Sequence, residues 1–189
     1  MATIGLRDLY RAPITTDENG KETYGKPVRM AKAISAELSV EVSEAILYAD
    51  DSTDEVAKEF VNGELTLNVN DLLPEDLSAL LGQKKDSDGV IYAGENDDPP
   101  YFAIGFRAKK ANGTYKYLWL YKVKFSIPSE SYATKGDSIE FTTPEITGNF
   151  IKRSDGLWKA EHVALPDDAI AAAWFTQVRE PNNTETPAV

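Results

Sequence analysis

The chain has 189 residues, 42% of them hydrophobic and 10% aromatic, with a formal net charge of −11 at pH 7, which suits one compact, sheet-rich domain with flexible ends. It has no cysteine and a single histidine, His162, which excludes disulfides, thiolate nucleophiles, Cys-based zinc sites and a His-rich metal centre. The acidic balance opposes nonspecific binding of nucleic acid over the outer surface. No apolar run reaches the ~20 residues of a membrane span or forms a signal peptide, so a soluble product of a cytosol, with no membrane partner, is expected.

Residues 1–27 read as an N-terminal arm, punctuated by Pro13, Gly20, Gly25 and Pro27. Ile4, Leu6, Leu9, Tyr10 and Ile14 are too many apolar residues for a solvated tail. Such an arm docks either on its own domain or on a neighbour. From 32 to 48 the alternation is long: Ile34, Ala36, Leu38, Val40, Val42, Ile46 and Tyr48 take one face, and Ser35, Glu37, Ser39, Glu41 and Ser43 the other. Period two over this length predicts a strand with one buried face, bent or bulged near Glu44. A second strand over 60–70 puts Val61, Leu65, Leu67 and Val69 inward and Asn62, Glu64, Thr66 and Asn68 outward. Neither polar face carries a lysine or arginine, whereas exposed strands normally mix both signs of charge.

The connection 50–59 holds Asp50, Asp51, Asp54, Glu55 and Glu59 against Lys58 alone, and reads as a solvated acidic loop. A short helix follows, with Pro74 in its first turn, Glu75 and Asp76 at the positive end of the dipole, and Gly82 as the C′ residue. Leu73, Leu77, Leu80 and Leu81 form its apolar stripe. In the acidic, turn-rich segment 86–98, Asp86, Asp88, Gly89 and Glu95 match part of an EF-hand loop. Lys84 occupies the first ligand position and no second helix follows, so a solvated turn is expected rather than a calcium site.

A β-hairpin is predicted over 101–125 around Asn112-Gly113, the dipeptide of a type I′ turn. A two-residue turn there faces Ala111 with Thr114 and pairs Phe106 with Trp119, Ile104 with Tyr121, Phe102 with Val123 and Ala108 with Tyr117, all eight on one face. Arg107, Lys109, Lys110, Lys116, Lys122 and Lys124 stand in this hairpin with no acid between them, a local charge reversal that calls for an acidic partner. Beyond it, 134–137 reads as a loop and 138–143 as a strand carrying Ile139 and Phe141. Pro144 forces an edge or bulge ahead of Ile146 and Phe150. A turn at 154–156 leads into a last strand, 157–163. Asp167 and Asp168 start a short helix over 167–175, and 180–189 has the composition of a disordered tail.

Nothing in this pattern is catalytic. His162 sits in a terminal strand and no serine lies in a nucleophile elbow, so no enzyme activity, metal or cofactor is expected. The row Tyr115, Tyr117, Trp119 and Tyr121 reads as sheet core before it reads as a stacking platform.

Three stretches carry a resemblance: Ile4-Gly5-Leu6-Arg7-Asp8-Leu9-Tyr10, Tyr117-Leu118-Trp119-Leu120-Tyr121-Lys122-Val123-Lys124-Phe125, and Thr134-Lys135-Gly136-Asp137-Ser138-Ile139-Glu140-Phe141-Thr142-Thr143-Pro144. With the final Gly156-Leu157-Trp158, these resemble the major tail tube proteins of long-tailed phages, in the group found in phages and prophages of Gram-positive bacteria. The resemblance implies a mainly β fold: an antiparallel β-sandwich or partial barrel with one flanking short helix and a second short C-terminal helix. It divides the chain into an arm (1–27), a tail-tube domain (28–178) and a flexible tail (179–189). It implies self-assembly into hexameric rings stacked as the tail tube of a virion. The expected partners are further copies of the chain, tape-measure, tail terminator and distal tail proteins, and phage DNA that passes through without specific binding. On that reading Ser35, Glu37, Ser39, Glu41, Ser43, Glu64, Thr66 and Asn68 line the lumen. Ile4, Leu6, Leu9, Tyr10, Asp50, Asp51, Asp54 and Glu55 make contacts between rings, and Arg107, Lys109, Lys110 and Lys116 meet acidic loops of an adjoining subunit. Two other readings stand beside it: the tube protein of a contractile secretion system, and a monomeric carbohydrate-binding β-sandwich using the aromatic row.

Overall fold

Strong β-formers dominate the segments that become strands; Gly20, Gly25, Pro27, Gly89 and Gly113 fall between them, while Gly5, Asp8, Pro13, Gly63, Gly105 and Gly148 lie within strands. The computed structural model describes residues 2–49, 52–129 and 143–181, with the backbone alone at 45–49 and 52–57. In chain order the strands are β1 (Thr3–Thr16), β2 (Glu22–Tyr24), β3 (Val28–Arg29), β4 (Ala33–Ala49) and β5 (Ser52–Val69). Helix α1 (Pro74–Leu81) follows, then β6 (Lys84–Lys85), β7 (Ile91–Tyr92), β8 (Phe102–Lys110), β9 (Tyr115–Phe125), β10 (Glu145–Phe150), β11 (Lys159–Ala164) and α2 (Ala169–Ala173). The main sheet is antiparallel, in the order β2-β1-β8-β9-β10-β5-β4, with β3 on β1. One edge of β9 is shared, β11 pairing with its first half and β10 with its last residues. The chain is therefore mainly β with two short helices, as the sequence predicts.

The sheet curls around one core and carries a second on its back. Leu65, Leu67, Phe102, Ile104, Phe106, Leu118, Leu120, Val123, Phe125, Ile146 and Phe150 fill the inner side, closed by Leu80 and Leu81 of α1. On the outer side of β8 and β9, Ala103, Tyr115, Tyr117, Trp119 and Tyr121 lie under Ala171, Trp174 and Val178 from α2 and the segment after it. The Trp119 indole N–H donates to the Trp174 carbonyl at 3.0 Å, and the Tyr121 hydroxyl to the Arg179 carbonyl at 2.7 Å. Trp119 and Tyr121 thus keep their polar ends satisfied while removing a large apolar area from water. The buried Tyr117 hydroxyl and Trp174 indole N–H, by contrast, have no hydrogen-bond partner among the described residues.

Double burial decides the hairpin register, and it differs from the predicted one. The loop has three residues, with Lys110 N–H donating to Thr114 O and Gly113 N–H to Lys110 O. Gly113 alone takes the left-handed conformation (φ 86°). Asn112 keeps negative φ, and its Oδ1 accepts from the Thr114 N–H and hydroxyl. The type I′ turn is replaced by a loop with a single left-handed residue. Register moves by one, so Phe106 faces Leu118, Ile104 faces Leu120 and Gly105 faces Trp119. A bulge opposite Ala103 then restores Phe102 to Val123. With both faces of β9 apolar, alternation alone does not tell one register from the other.

Two further expectations are corrected. The acidic segment 50–59 is not a loop, because β5 begins at Ser52 and pairs with β4 along its length, out to Ala49 with Ser52. Val61 does not point inward. The pairs Glu41–Asn62 and Val42–Phe60 leave it as the extra residue of a bulge, so Phe60 takes the inner position and Val61 is exposed. Phe60 there stacks on Trp158 (centroids 4.8 Å) and lies beside Phe150.

Helix α1 has Pro in its first turn and Gly82 as a left-handed C-cap (φ 69°), as predicted, although Leu73 is exposed rather than part of the stripe. Helix α2 is capped by Asp168, whose carboxylate accepts from the N–H groups of Ile170 and Ala171. Asp86 organises the β6–β7 turn, accepting from Asp88 N–H, Val90 N–H and the Tyr92 hydroxyl. Its oxygens are taken, and no group of carboxylates fit to hold a metal occurs among the described residues. The loop expected at 134–137, the strand at 138–143, Asp50, Asp51 and the tail beyond 181 lie outside the described residues.

Candidate functional site

The eight polar residues singled out on the two alternating strands come together on one surface. Strands β4, β5 and β10 are adjacent, and their outer positions line up in cross-strand rows. Ser35, Asn68 and Glu145 form the first row; Glu37, Thr66 and Thr147 the second; Ser39, Glu64 and Asn149 the third. Glu41 with Asn62 and Ser43 with Glu59 continue it on β4 and β5. Each row holds one carboxylate, and no two glutamates stand directly opposite, which spares the face the cost of paired like charges. Asn68 donates its side-chain N–H to Glu145 at 3.0 Å.

Base enters only at the margins. Lys152 donates to Glu59 at 2.9 Å and holds that carboxyl below its usual range. On β9, Lys124 lies next to Asn149 but bonds Asp98 at 2.6 Å. Between these limits the outer surface of the three strands is acidic and exposed to half-buried, with no element covering it among the described residues, whereas the neighbouring surface of β8 and β9 is roofed by α2.

Strand β4 is also an edge. It is 17 residues long, it pairs with β5, and among the described residues nothing pairs with its other side. Its apolar row is half covered. Ala36 and Leu38 pack against the inner core, but Ile34, Val40 and Val42 are 53%, 44% and 50% exposed. An edge of this length with exposed β-branched residues is a template for another strand.

The other predicted contact residues divide. Of the two placements open to residues 1–27, packing on their own domain is the one observed, since β1 pairs with β8. Leu9 is buried, Leu6 packs on the inner core and Tyr10 stacks on Phe175 at 4.6 Å, which leaves Ile4 exposed. Asp54 and Glu55 lie on β5. The acidic partner sought for the basic hairpin is largely internal. Arg107 bonds Asp8, Lys116 bonds Glu161, Lys122 bonds Glu22 and Lys124 bonds Asp98. Lys109 and Lys110, beside Gly5 and Thr3 at the end of the hairpin, make no ion pair among the described residues.

Three polar knots escaped the sequence reading. Asp8 has φ 55° at a bulge between β1 and β8 and joins Arg29 to Arg107. Arg11 donates through Nε and Nη2 to Asp76, tying β1 to α1. Glu22, 2% exposed, accepts from Lys122 and from the Ser154 N–H and hydroxyl. Burial pushes its carboxyl up, but those hydrogen bonds outweigh burial and hold it down at about 2. Each knot joins residues 65 to 132 apart in the chain or lies on a bulge, so no local pattern reveals it.

No helix among the described residues is long and apolar enough to cross a membrane. No protein-family model matches the chain, and no curated protein matches it.

Proposed function

We propose that this chain is a self-assembling structural subunit whose copies join through the free edge of β4 into closed rings that stack as a phage tail tube. The observation that carries the reading is the coincidence of two features on the same strand: an edge 17 residues long that is unpaired among the described residues, and a polar face whose charge is all negative across three strands. Pairing that edge with a neighbour hides its N–H and C=O groups and covers Val40 and Val42, and closure of the ring removes the last edge. The acidic face then lines the channel. Duplex DNA repelled by such a wall passes without the phosphate contacts and counterion release that hold it on a basic surface. The resemblance of the three quoted motifs to phage tail tube proteins agrees with this arrangement.

The carbohydrate-binding alternative loses the feature it rested on, because Tyr115, Tyr117, Trp119 and Tyr121 are all buried beneath α2 and the segment after it. Substitution of the exposed edge tests the assembly. Val40→Lys with Val42→Lys should leave the fold within about 0.5 kcal/mol of the parent, since both residues are half exposed. The same change should abolish association in sedimentation velocity. Undiminished association would show that the edge is not the joint.

A further inference from the structure

A groove of about 380 Å³ opens between β1 and the start of β4, where Arg7, Asp8, Arg29, Lys32 and Arg107 meet beside Ala33. Four cations face one carboxylate, in a chain whose net charge is −11. Both oxygens of Asp8 are taken, Oδ1 accepting from Arg29 Nη2 at 3.0 Å and Oδ2 from Arg107 Nε. Arg7 stands directly opposite Arg107 across β1 and β8, an arrangement of like charges that costs stability. Arg7 and Lys32 are exposed, and neither makes an ion pair among the described residues. Four cations less one carboxylate leave three positive charges in the groove.

The positions of these cations are fixed by the backbone and by packing. Arg29 is in register with Tyr10 through β3. Lys32 is clamped to Asn70, donating its N–H to Oδ1 and accepting the Asn70 N–H, each at 2.9 Å. The Arg107 guanidinium lies over Tyr115, 4.8 Å from the ring centroid. Arg7, Lys32 and the remaining nitrogens of Arg29 are the open donors. A monovalent anion answers only one of the three charges. A long duplex would have to lie against a molecule whose net charge is −11. A small oxyanion with several charges meets both conditions, since guanidinium forks and an ammonium hold phosphate oxygens through charge-assisted hydrogen bonds. The groove also lies within the range of small-molecule sites, roughly 300–1,000 Å³. We propose that this groove is a binding site for a small multivalent phosphate of the pyrophosphate class, held by Arg7, Arg29 and Lys32 with Arg107 as a further fixed charge. The site stands whether or not copies of the chain assemble.

Isothermal titration calorimetry of the full chain with pyrophosphate at low ionic strength tests it, with orthophosphate and a short DNA duplex as the other titrants. One pyrophosphate per chain is expected, bound about tenfold or more tighter than orthophosphate and weakened by added salt. Arg7→Gln with Lys32→Gln should lower the affinity about tenfold or more. Arg7→Lys with Lys32→Arg keeps the charges and should keep most of the binding. Both positions are exposed, so an unchanged urea midpoint without ligand shows that each variant is folded. Lys109→Gln with Lys110→Gln removes two cations outside the groove and should leave binding nearly unchanged. Pyrophosphate binding that the Arg7 and Lys32 changes do not weaken, or that the Lys109 and Lys110 changes weaken equally, means an adventitious ion only and overturns the inference. A duplex that binds as tightly as pyrophosphate, or the absence of saturable binding, overturns it too.

Discussion

Gly105 shows how closely the sheet is fitted at the level of single residues. It faces Trp119, and a Cβ at this position would sit 2.7 Å from the indole ring, inside any real contact. Gly105→Ala should therefore destabilise the chain by about 1–3 kcal/mol through overpacking, read as a lower denaturant midpoint at unchanged slope. Glu22 carries the clearest pH dependence. Its carboxyl has an ordinary value of 4.5 and is held at about 2 in the fold, so its contribution is complete above pH 4.5 and lost as pH falls toward 2. A shift of that size corresponds to about 3 kcal/mol. Glu22→Gln should remove most of that amount at pH 7 and flatten the acid limb between pH 4.5 and 2, as measured by urea unfolding across that range. A variant with the parent's acid limb would show that the loss of stability in acid lies elsewhere.

At the level of elements, the parts legible in the sequence are those with one buried face. The alternations 35–43 and 62–69 fix the faces of β4 and β5 correctly, because one side meets the core and the other meets water. Pro74 and Gly82 bound α1, and Asp168 starts α2, since capping chemistry is local. Bulges break the pattern. In β1 the apolar positions pass from Ile4 and Leu6 to Leu9, a change of parity that marks the left-handed Asp8 and was open to reading. The change from Leu65 to Phe60 in β5 is of the same kind. The β8–β9 register was not legible, because Leu118 and Leu120 face one core while Tyr117 and Trp119 face another. Nor was the extension of β5 back to Ser52, where acidic composition suggested a solvated loop and pairing with β4 overrides it. These elements should differ in hydrogen exchange. Amides of β9, flanked on both edges and buried on both faces, should be the slowest. Alternate amides of β4, those pointing away from β5, should exchange fast in dilute protein and slow by about a hundredfold or more on assembly, as loops and free edges do when covered. Equal rates in dilute and assembled protein would mean that the edge stays open.

For the whole molecule, the two cores lie on either side of β8 and β9, and β4 and β5 carry an acidic outer face on a sheet edge that is unpaired among the described residues. An acidic wall and an edge unpaired among the described residues are asymmetries that one copy does not satisfy. Repetition satisfies both. The most direct test is negative-stain electron microscopy of the purified chain over a concentration series. Hollow rings, and at higher concentration tubes of one fixed diameter, are the predicted result. Separate monomers at every concentration, or open aggregates without a channel, would contradict it.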